Sequence, residues 1–370
     1  MKTHTRAPKG LQLLVGGLAL AMGVLAGAAD WQHISEQDNE ALPGNQIQFI
    51  EVGAGGVVWI GGLKGLTRYE KGEFTAVKEV VKKRKETIKR AFGLQSWGVL
   101  GLGNDQWLVG HNRGVSLIEG TMVKRHELLG GYNAAPVVQG RDGVIWTLGK
   151  VERNKQQITD IFQRGKDGQW TLIEFFKKDK ESGKKMIVED LFLDSRGDFW
   201  VTISGNGVIK ADPSKKPEQW EHMLKGYNVT TLGEDPKGHI WCGLWERGVT
   251  MLHEGASQRH LPHEDTVPLA IDGSGEDMVW VATNDRGLFQ KVGKEWQHHF
   301  AEEGAINLLE VTSDGRVWVS SQKTGGLKYW SGEEWKTALP GPFPIRTVTV
   351  TEDGAVWAGG ILDGLHIKKK

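Results

Sequence analysis

Tryptophan recurs at positions 59, 107, 146, 200, 241, 280, 318 and 357, and the text around each copy is alike. The spacings are 48, 39, 54, 41, 39, 38 and 39 residues, so the last four hold within two residues of 39. A fixed period of about 40 residues means one supersecondary unit repeated along the chain. The cleanest copies read Asp-Gly-Arg-Val-Trp (314–318), Asp-Gly-Ala-Val-Trp (353–357) and Asp-Gly-Val-Ile-Trp (142–146). Gly stands three residues before Trp in six copies, at 56, 143, 197, 238, 315 and 354. Seven residues after Trp comes Gly followed by Val or Leu, at Gly114, Gly207, Gly248, Gly287 and Gly364. The first copy is one residue shorter (Gly65-Leu66), the seventh reads Gly325-Gly326-Leu327, and the third lacks this Gly and is expanded.

Each copy reads as a four-stranded antiparallel unit. An apolar strand such as Ile345–Val350 precedes Asp-Gly, which supplies the positive φ of a hairpin turn. The Trp strand follows, then a loop closed by Gly, a third strand, and a fourth with its own aromatic at Trp220, Trp296 or Trp335. A four-stranded unit of about 40 residues, repeated, is the pattern of an all-β propeller. The composition agrees: 51 Gly and 16 Trp with only 11 Pro describe many tight turns around a recurring aromatic. The eight spaced Trp are expected as wedges buried between blades. The last copy stops after its third strand, Leu365-His366-Ile367, while Trp31-Gln32-His33-Ile34 has fourth-strand text and no blade before it. The N-terminal strand is therefore expected to complete the last sheet, removing the open edges of an unclosed array. Eight blades are predicted. Seven is the alternative, should the irregular third copy form no separate blade.

Lys2, Arg6 and Lys9, the apolar run Leu11–Leu25 and the small-residue text Ala26-Gly27-Ala28 match a secretory signal peptide. The expected organisation is a signal peptide at 1–28, cleaved near Ala28, and a single propeller domain at 29–370. The mature protein is then periplasmic or secreted, without a membrane span, and the chain ends with the propeller. Lys+Arg and Asp+Glu both number 46, which excludes nucleic-acid binding through bulk positive charge. Cys242 is the one cysteine, so neither an intramolecular disulfide nor a cysteine zinc cluster can form. It follows a wedge Trp and is expected to be inert packing.

The pattern Asp-x-x-Gly-x-Val-Trp-[Val/Ile], with Gly-[Leu/Val] seven residues on, resembles the two-component-regulator propeller repeat. Trp59-Ile60-Gly61-Gly62 with Gly65-Leu66, and Leu42-Pro43-Gly44-Asn45 before the first strand, are close to it. That resemblance covers essentially the whole mature chain. It implies a fold used in the extracytoplasmic sensor propellers of bacterial hybrid histidine kinases and in free-standing secreted proteins. Here no kinase, receiver or DNA-binding text follows, so a ligand- or protein-binding role is expected rather than signalling output. The repeat carries no catalytic motif.

Strand order places the first-to-second and third-to-fourth turns on one face. The second-to-third loops and the blade-to-blade crossovers fall on the other, with the long segments Val81–Phe92, Lys150–Gln157, Phe176–Lys185, His260–Thr266 and Leu339–Pro344. Length variation on one face of a rigid scaffold is where recognition is built. Second-to-third loops there carry Arg113, Arg247 and Arg286, with Lys64 and Lys323 in the corresponding loops of blades 1 and 7. Should these converge over the channel mouth, they suit a carboxylate, sulfate or phosphate. The competing reading pairs them with neighbours such as Glu246 and Asp285 or leaves them solvated. His111, Tyr132, Asn133, Tyr227, Asn228 and Trp245 complete the candidate ligand-binding set. The basic segments around Lys82-Lys83-Arg84-Lys85 and Lys177–Lys185 fit an acidic partner or plain solvation, and Val80, Val81, Ile88 and Phe92 allow a short amphipathic helix in the first.

Expected partners are an anionic small molecule or glycan, or another envelope or extracellular protein. No cofactor is expected. His253, Glu254, His260, His263, Glu264, Asp265, His298 and His299 are dense, but no spacing matches a known metal pattern. Neither a Gly-x-Ser-x-Gly elbow nor a P-loop is present. A second reading is a polysaccharide lyase or hydrolase at the channel mouth, with the three arginines neutralising a uronate and His111, Tyr132 or Tyr227 as base or acid. A third is a structural scaffold in an envelope complex.

Overall fold

The computed structural model describes residues 30–370 apart from 84–85, 128–130, 154, 175–185, 213–214, 254–255, 261–264 and 275–277. The expected signal peptide and the second basic segment therefore lie outside the described residues.

The hairpin turns start from the Asp-Gly text. At 312–316 the Gly315 N–H donates to the Thr312 carbonyl at 2.8 Å, and Thr312 N–H to Arg316 at 3.0 Å. The Asp314 carboxylate accepts the Arg316 N–H. Gly315 sits at φ +79°, and the six glycines three before Trp share φ between +77° and +82°. Side chains avoid that region, so the text fixes one turn type in five of the six, while in blade 1 Gly55 also takes a positive φ and the turn differs.

Eight sheets result, each with its four blade strands antiparallel in the order first to fourth, and blade 2 adds a parallel pairing of Met122 with Lys78. Blade 7, for example, runs Ile306–Val311, Val317–Ser321, Gly325–Trp330 and Trp335–Leu339. First strands of successive blades pack against each other, as in blades 5 to 8, and so line the central channel. Blade 8 joins Ile345–Val350, Val356–Gly360 and Leu365–Lys368 to the N-terminal Trp31–Ile34, paired Trp31 with Lys368 through Ile34 with Leu365. The Trp31 indole N–H donates to Ala338 O at 2.8 Å, tying this strand to blade 7 as well. The ring is closed as expected, with eight blades.

All eight spaced tryptophans are buried, from 0% exposed at Trp59 and Trp280 to 7% at Trp107. Each packs with the neighbouring blade: Trp59 meets Trp107 edge-on at 5.3 Å, and Trp280 shares a cluster with Leu309, Val317 and Val319 of blade 7. The residue six before Trp often caps the indole N–H. Asp194, Asp235, Ser274 and Thr312 accept from Trp200, Trp241, Trp280 and Trp318 at 2.8–3.0 Å. In blades 1 to 3 this position is Gly53, Gly101 and Gly140.

Two expectations are corrected. The segment around Val81–Phe92 holds no helix: Lys78–Lys83 and Glu86–Ala91 form a β-hairpin that extends blade 2 to six strands. Its base is held by Lys78 N–H on Thr121 O (2.9 Å) and Phe92 N–H on Val77 O (2.9 Å). Backbone pairing to an existing outer strand overrides a short apolar period that also fits a helix turn. Likewise Lys150–Gln157 is not a loop, because Ile145–Arg153 and Gln156–Arg164 continue as paired nine-residue strands in a complete third blade.

Candidate functional site

The crossover face is built from two kinds of segment latched together. In seven blades the N–H that opens the second-to-third loop donates to the crossover entering the same blade, at 2.8–3.2 Å. The donors are Lys64, Asn112, Ser204, Trp245, Asn284, Gln322 and Ile361, and the acceptors Pro43, Gln95, Ile187, Asn228, Val267, Ala305 and Pro344. The Gly that closes the blade 6 loop is held by the crossover leaving that blade. A Cβ on Gly287, at φ +71°, would lie 2.3 Å from Phe300 O.

The same latch decides what the cations touch. Lys64 pairs with Glu36 at 2.6 Å, Lys323 donates to Glu302 O at 2.6 Å, and Arg286 pairs with Asp265. The Arg247 guanidinium lies over the Tyr227 ring at 5.4 Å. Each of these four is held by the crossover entering its own blade, rather than by Glu246 or Asp285. Arg113 is exposed, as are Asn133 and Asn228, and Trp245 is 50% exposed. Asn228 also accepts the Gly205 N–H through its side chain at 3.4 Å.

Two candidates do not reach the surface. His111 is 0% exposed. Its Nδ1 accepts the Arg113 N–H at 3.1 Å and its Nε2 meets Ser116 Oγ at 2.7 Å. Burial, with the nearby charge of His126 and Arg113, lowers its pKa to about 3. The ring is neutral, and its hydrogen bonds continue through Ser116 to His126 Nδ1 (2.9 Å) and from His126 Nε2 to Glu79 (3.1 Å). Tyr132 is buried against Phe162, and its hydroxyl donates to Asp160 at 2.7 Å. Both are interior hydrogen-bonding groups, so neither is placed to act as base or acid on a surface-bound sugar.

The structure adds a ring that sequence reasoning missed. In seven blades the pairing of the first strand with the second slips by one residue after its opening pair, and in blade 3 after its second pair. Such a bulge leaves one residue outside the ladder. These are Gln48, Trp97, Glu189, Thr230, Leu269, Asn307 and Arg346, with the Ala135-Pro136 step in blade 3. They stand at the crossover end of the innermost strands, where the channel opens, and Glu189, Leu269, Asn307 and Arg346 are exposed. A signal was present: buried residues opening these strands are spaced by three, as in Ile47 and Ile50 or Ile345 and Val348, not by the two of a regular strand.

Further along the channel wall the chemistry is acidic. The surrounding channel wall lifts the carboxyls of Glu51 and Asp190 above their usual range by partial desolvation, although both residues stay open to solvent. Asp272, half-buried, is pushed up to about 6 by desolvation, and Glu310, which stays open to solvent, to about 7 by desolvation from the surrounding wall and by the charge of Asp272.

Exposed apolar side chains gather on the crossover face. Leu63, Ile187, Tyr227, Trp245, Leu269, Phe343 and Leu362 all belong to second-to-third loops, crossovers or the bulge ring, and each is 38–63% exposed. No group of three metal-ligating side chains able to hold an ion occurs among the described residues. Cys242 is fully buried and desolvation pushes its thiol pKa up.

No protein-family model matches the chain, and no curated protein does. Among solved structures it is similar to a streptogramin B lyase, with a TM-score of 0.53 and 10% identity over 91% of this chain and 96% of that one. It is similar also to YCF48 from Cyanidioschyzon merolae, with a TM-score of 0.51 and 10% identity over 92% and 99%. At these identities the likeness is one of fold. The extracellular domain of a putative hybrid two component system from B. thetaiotaomicron is matched with a TM-score of 0.40 and 15% identity over 88% of this chain and 56% of that one. Among the described residues, no helix is long and apolar enough to cross a membrane.

Proposed function

We propose that this chain is an extracytoplasmic, non-catalytic binding propeller that takes a partner protein on its crossover face. The observation that carries this reading is the set of seven exposed apolar side chains on that face, from Leu63 to Leu362. Scattered exposed apolar residues are ordinary on a monomer, but their concentration on one face marks an interaction surface. Trp245 and Tyr227 supply aromatic anchors of the kind enriched at binding hot spots, and Arg247 is held on Tyr227 beside them. Arg113 and Arg346, both exposed, are positioned to meet acidic groups on the partner.

A small anion gripped by converging cations is the weaker form of the proposal. Lys64, Arg286 and Lys323 already have oxygen partners, and the channel wall below carries Glu51, Asp190, Asp272 and Glu310. The N-terminal text, with processing near Ala28, supports an extracytoplasmic location.

The test is cross-linking of the mature protein in the native envelope fraction, with the cross-linked peptides mapped by mass spectrometry. Cross-links should fall around 227–247, 269 and 343. The double variant Trp245→Ala, Leu269→Asp should lose the partner while keeping the wild-type melting temperature. Cross-links confined to the turn face, or an undiminished partner with the double variant, would overturn the proposal.

A further inference from the structure

Blade 2 carries an element that the ring does not need. Its four strands are complete at Met122–Glu127, yet the hairpin of Lys78–Lys83 and Glu86–Ala91 is added outside them, and Glu86–Ala91 becomes the outermost strand of the sheet. The base of the hairpin is fixed in the core, since the flanking Val77 and Phe92 are both 1% exposed. The outermost strands of the other seven blades run three to five residues, whereas this one runs six. Short edge strands are an ordinary protection against pairing with another chain. Here the edge is lengthened instead.

The register decides which backbone groups of that edge face outward. Phe92 N–H donates to Val77 O at 2.9 Å, continuing the hairpin ladder, and antiparallel pairing alternates from there. Arg90 and Ile88 therefore turn their N–H and C=O toward Glu79 and Val81, while Ala91, Lys89 and Thr87 turn theirs away from the sheet. Lys78, opposite Ala91, obeys the same alternation on the inner strand, for its N–H leaves the hairpin and reaches Thr121 O at 2.9 Å. Thr87, Lys89 and Ala91 are exposed, and among the described residues nothing bonds their outward backbone groups. Three successive outward positions form an open ladder for one further strand.

The chemistry beside this ladder is basic. The two strands contain Lys78, Lys82, Lys83, Lys89 and Arg90 against Glu79 and Glu86. Glu79 is buried and occupied, accepting from Arg90 Nε at 2.6 Å and from His126 Nε2 at 3.1 Å. Cross-strand pairs share a face, so Lys78, Val80, Thr87, Lys89 and Ala91 stand together on the face opposite to Glu79. Val80 is 49% exposed there, and neither Lys78 nor Lys89 has an ion partner among the described residues. Ala91 is small enough to leave the Lys78 ammonium a path to the edge. The other face offers Ile88, 38% exposed. We infer that this edge takes an extended acidic segment of a partner protein as a further strand, its acidic side chains alternating onto Lys78 and Lys89 and its apolar ones onto Ile88. An open backbone ladder recognises a strand, which neither a glycan nor a lipid headgroup supplies, and the charge selects its composition. A second copy of this chain is selected against, because pairing edge to edge would set Lys89 among the same cations. The surface does not include the apolar side chains of the crossover face, so the two readings fail independently.

Fluorescence anisotropy of the mature protein with a labelled eight-residue peptide that alternates Glu and Val tests this. Binding is expected, weakening as salt rises, together with slowed hydrogen exchange at the amides of Thr87, Lys89 and Ala91. A peptide of the same composition with its glutamates in one block should bind at least tenfold more weakly. Thr87→Pro keeps every charge and removes one outward donor, which an edge strand tolerates, and should also weaken binding at least tenfold. Lys89→Glu should abolish it. Lys294→Glu, at an exposed turn position in blade 6, should bind as wild type. Melting temperatures confirm that each variant is folded. No binding of the alternating peptide, wild-type affinity in Thr87→Pro, equal binding of the block peptide, or capture by phosphatidylglycerol vesicles in place of the peptide would overturn the inference.

Discussion

Replacing Trp280 by alanine tests whether the repeated tryptophan wedges the blades apart and holds them together. Trp280 is 0% exposed and packs on His299, Trp330 and Trp335, with ring centroids at 5.6–5.9 Å. Its indole N–H donates to Ser274 Oγ at 2.8 Å, and Ser274 is itself 4% exposed. Truncating a buried Trp to Ala costs about 3–5 kcal/mol. Leaving the Ser274 hydroxyl buried without its partner adds about 1 kcal/mol or more. The expected loss is therefore about 4–6 kcal/mol, a large part of the ~5–15 kcal/mol that holds a typical protein folded. Urea unfolding followed by circular dichroism measures it. Trp245→Ala, at a half-exposed position, should stay within about 0.5 kcal/mol of wild type. A Trp280→Ala cost below about 2 kcal/mol, or an equal cost at Trp245, would refute the wedge argument. A double-mutant cycle with Ser274→Ala isolates the hydrogen bond.

Other outcomes follow from the same geometry. Gly287→Ala should lower stability well beyond Gly293→Ala in thermal melts, because both glycines have positive φ but only the Gly287 Cβ meets backbone. Glu310 has a folded pKa of about 7 against an ordinary 4.5, so its contribution to stability is full below pH 4.5 and is lost as pH rises through 7. Glu310→Gln should therefore raise the melting temperature at pH 8 and leave it unchanged at pH 4. Ile34→Asp, which places a charge in the core of the closing blade, should loosen the N-terminal strand, bare the Leu365–Lys368 edge and produce concentration-dependent association in sedimentation. Cys242 should resist alkylation in the folded protein and react only in denaturant, read by mass shift.

The repeat was legible because its parts are local. Trp and the turn glycines sit within about ten residues of each other, and a turn that needs positive φ accepts few residues besides glycine. The closing strand was legible for the same reason, as a fourth-strand text without a blade. Segment 78–91 was not, since Val80, Val81 and Ile88 fit a helix turn or a strand, and the free outer strand Met122–Glu127 decided it. The burial of His111 and Tyr132 was hidden too, because their partners Ser116 and Asp160 are polar residues whose depth no local pattern reports.

Sequence by itself determined the architecture: eight blades, a wedge in each, closure through the N-terminus, and which loops share a face. Only the tertiary structure decided the chemistry of those faces. The latch between loop and crossover set which oxygen or ring Lys64, Arg247, Arg286 and Lys323 meet, and the bulges chose which residues stand at the channel mouth. Periodicity is a property of neighbours along the chain, whereas a charge, a bulge or a gap takes its meaning from whatever the ring brings beside it.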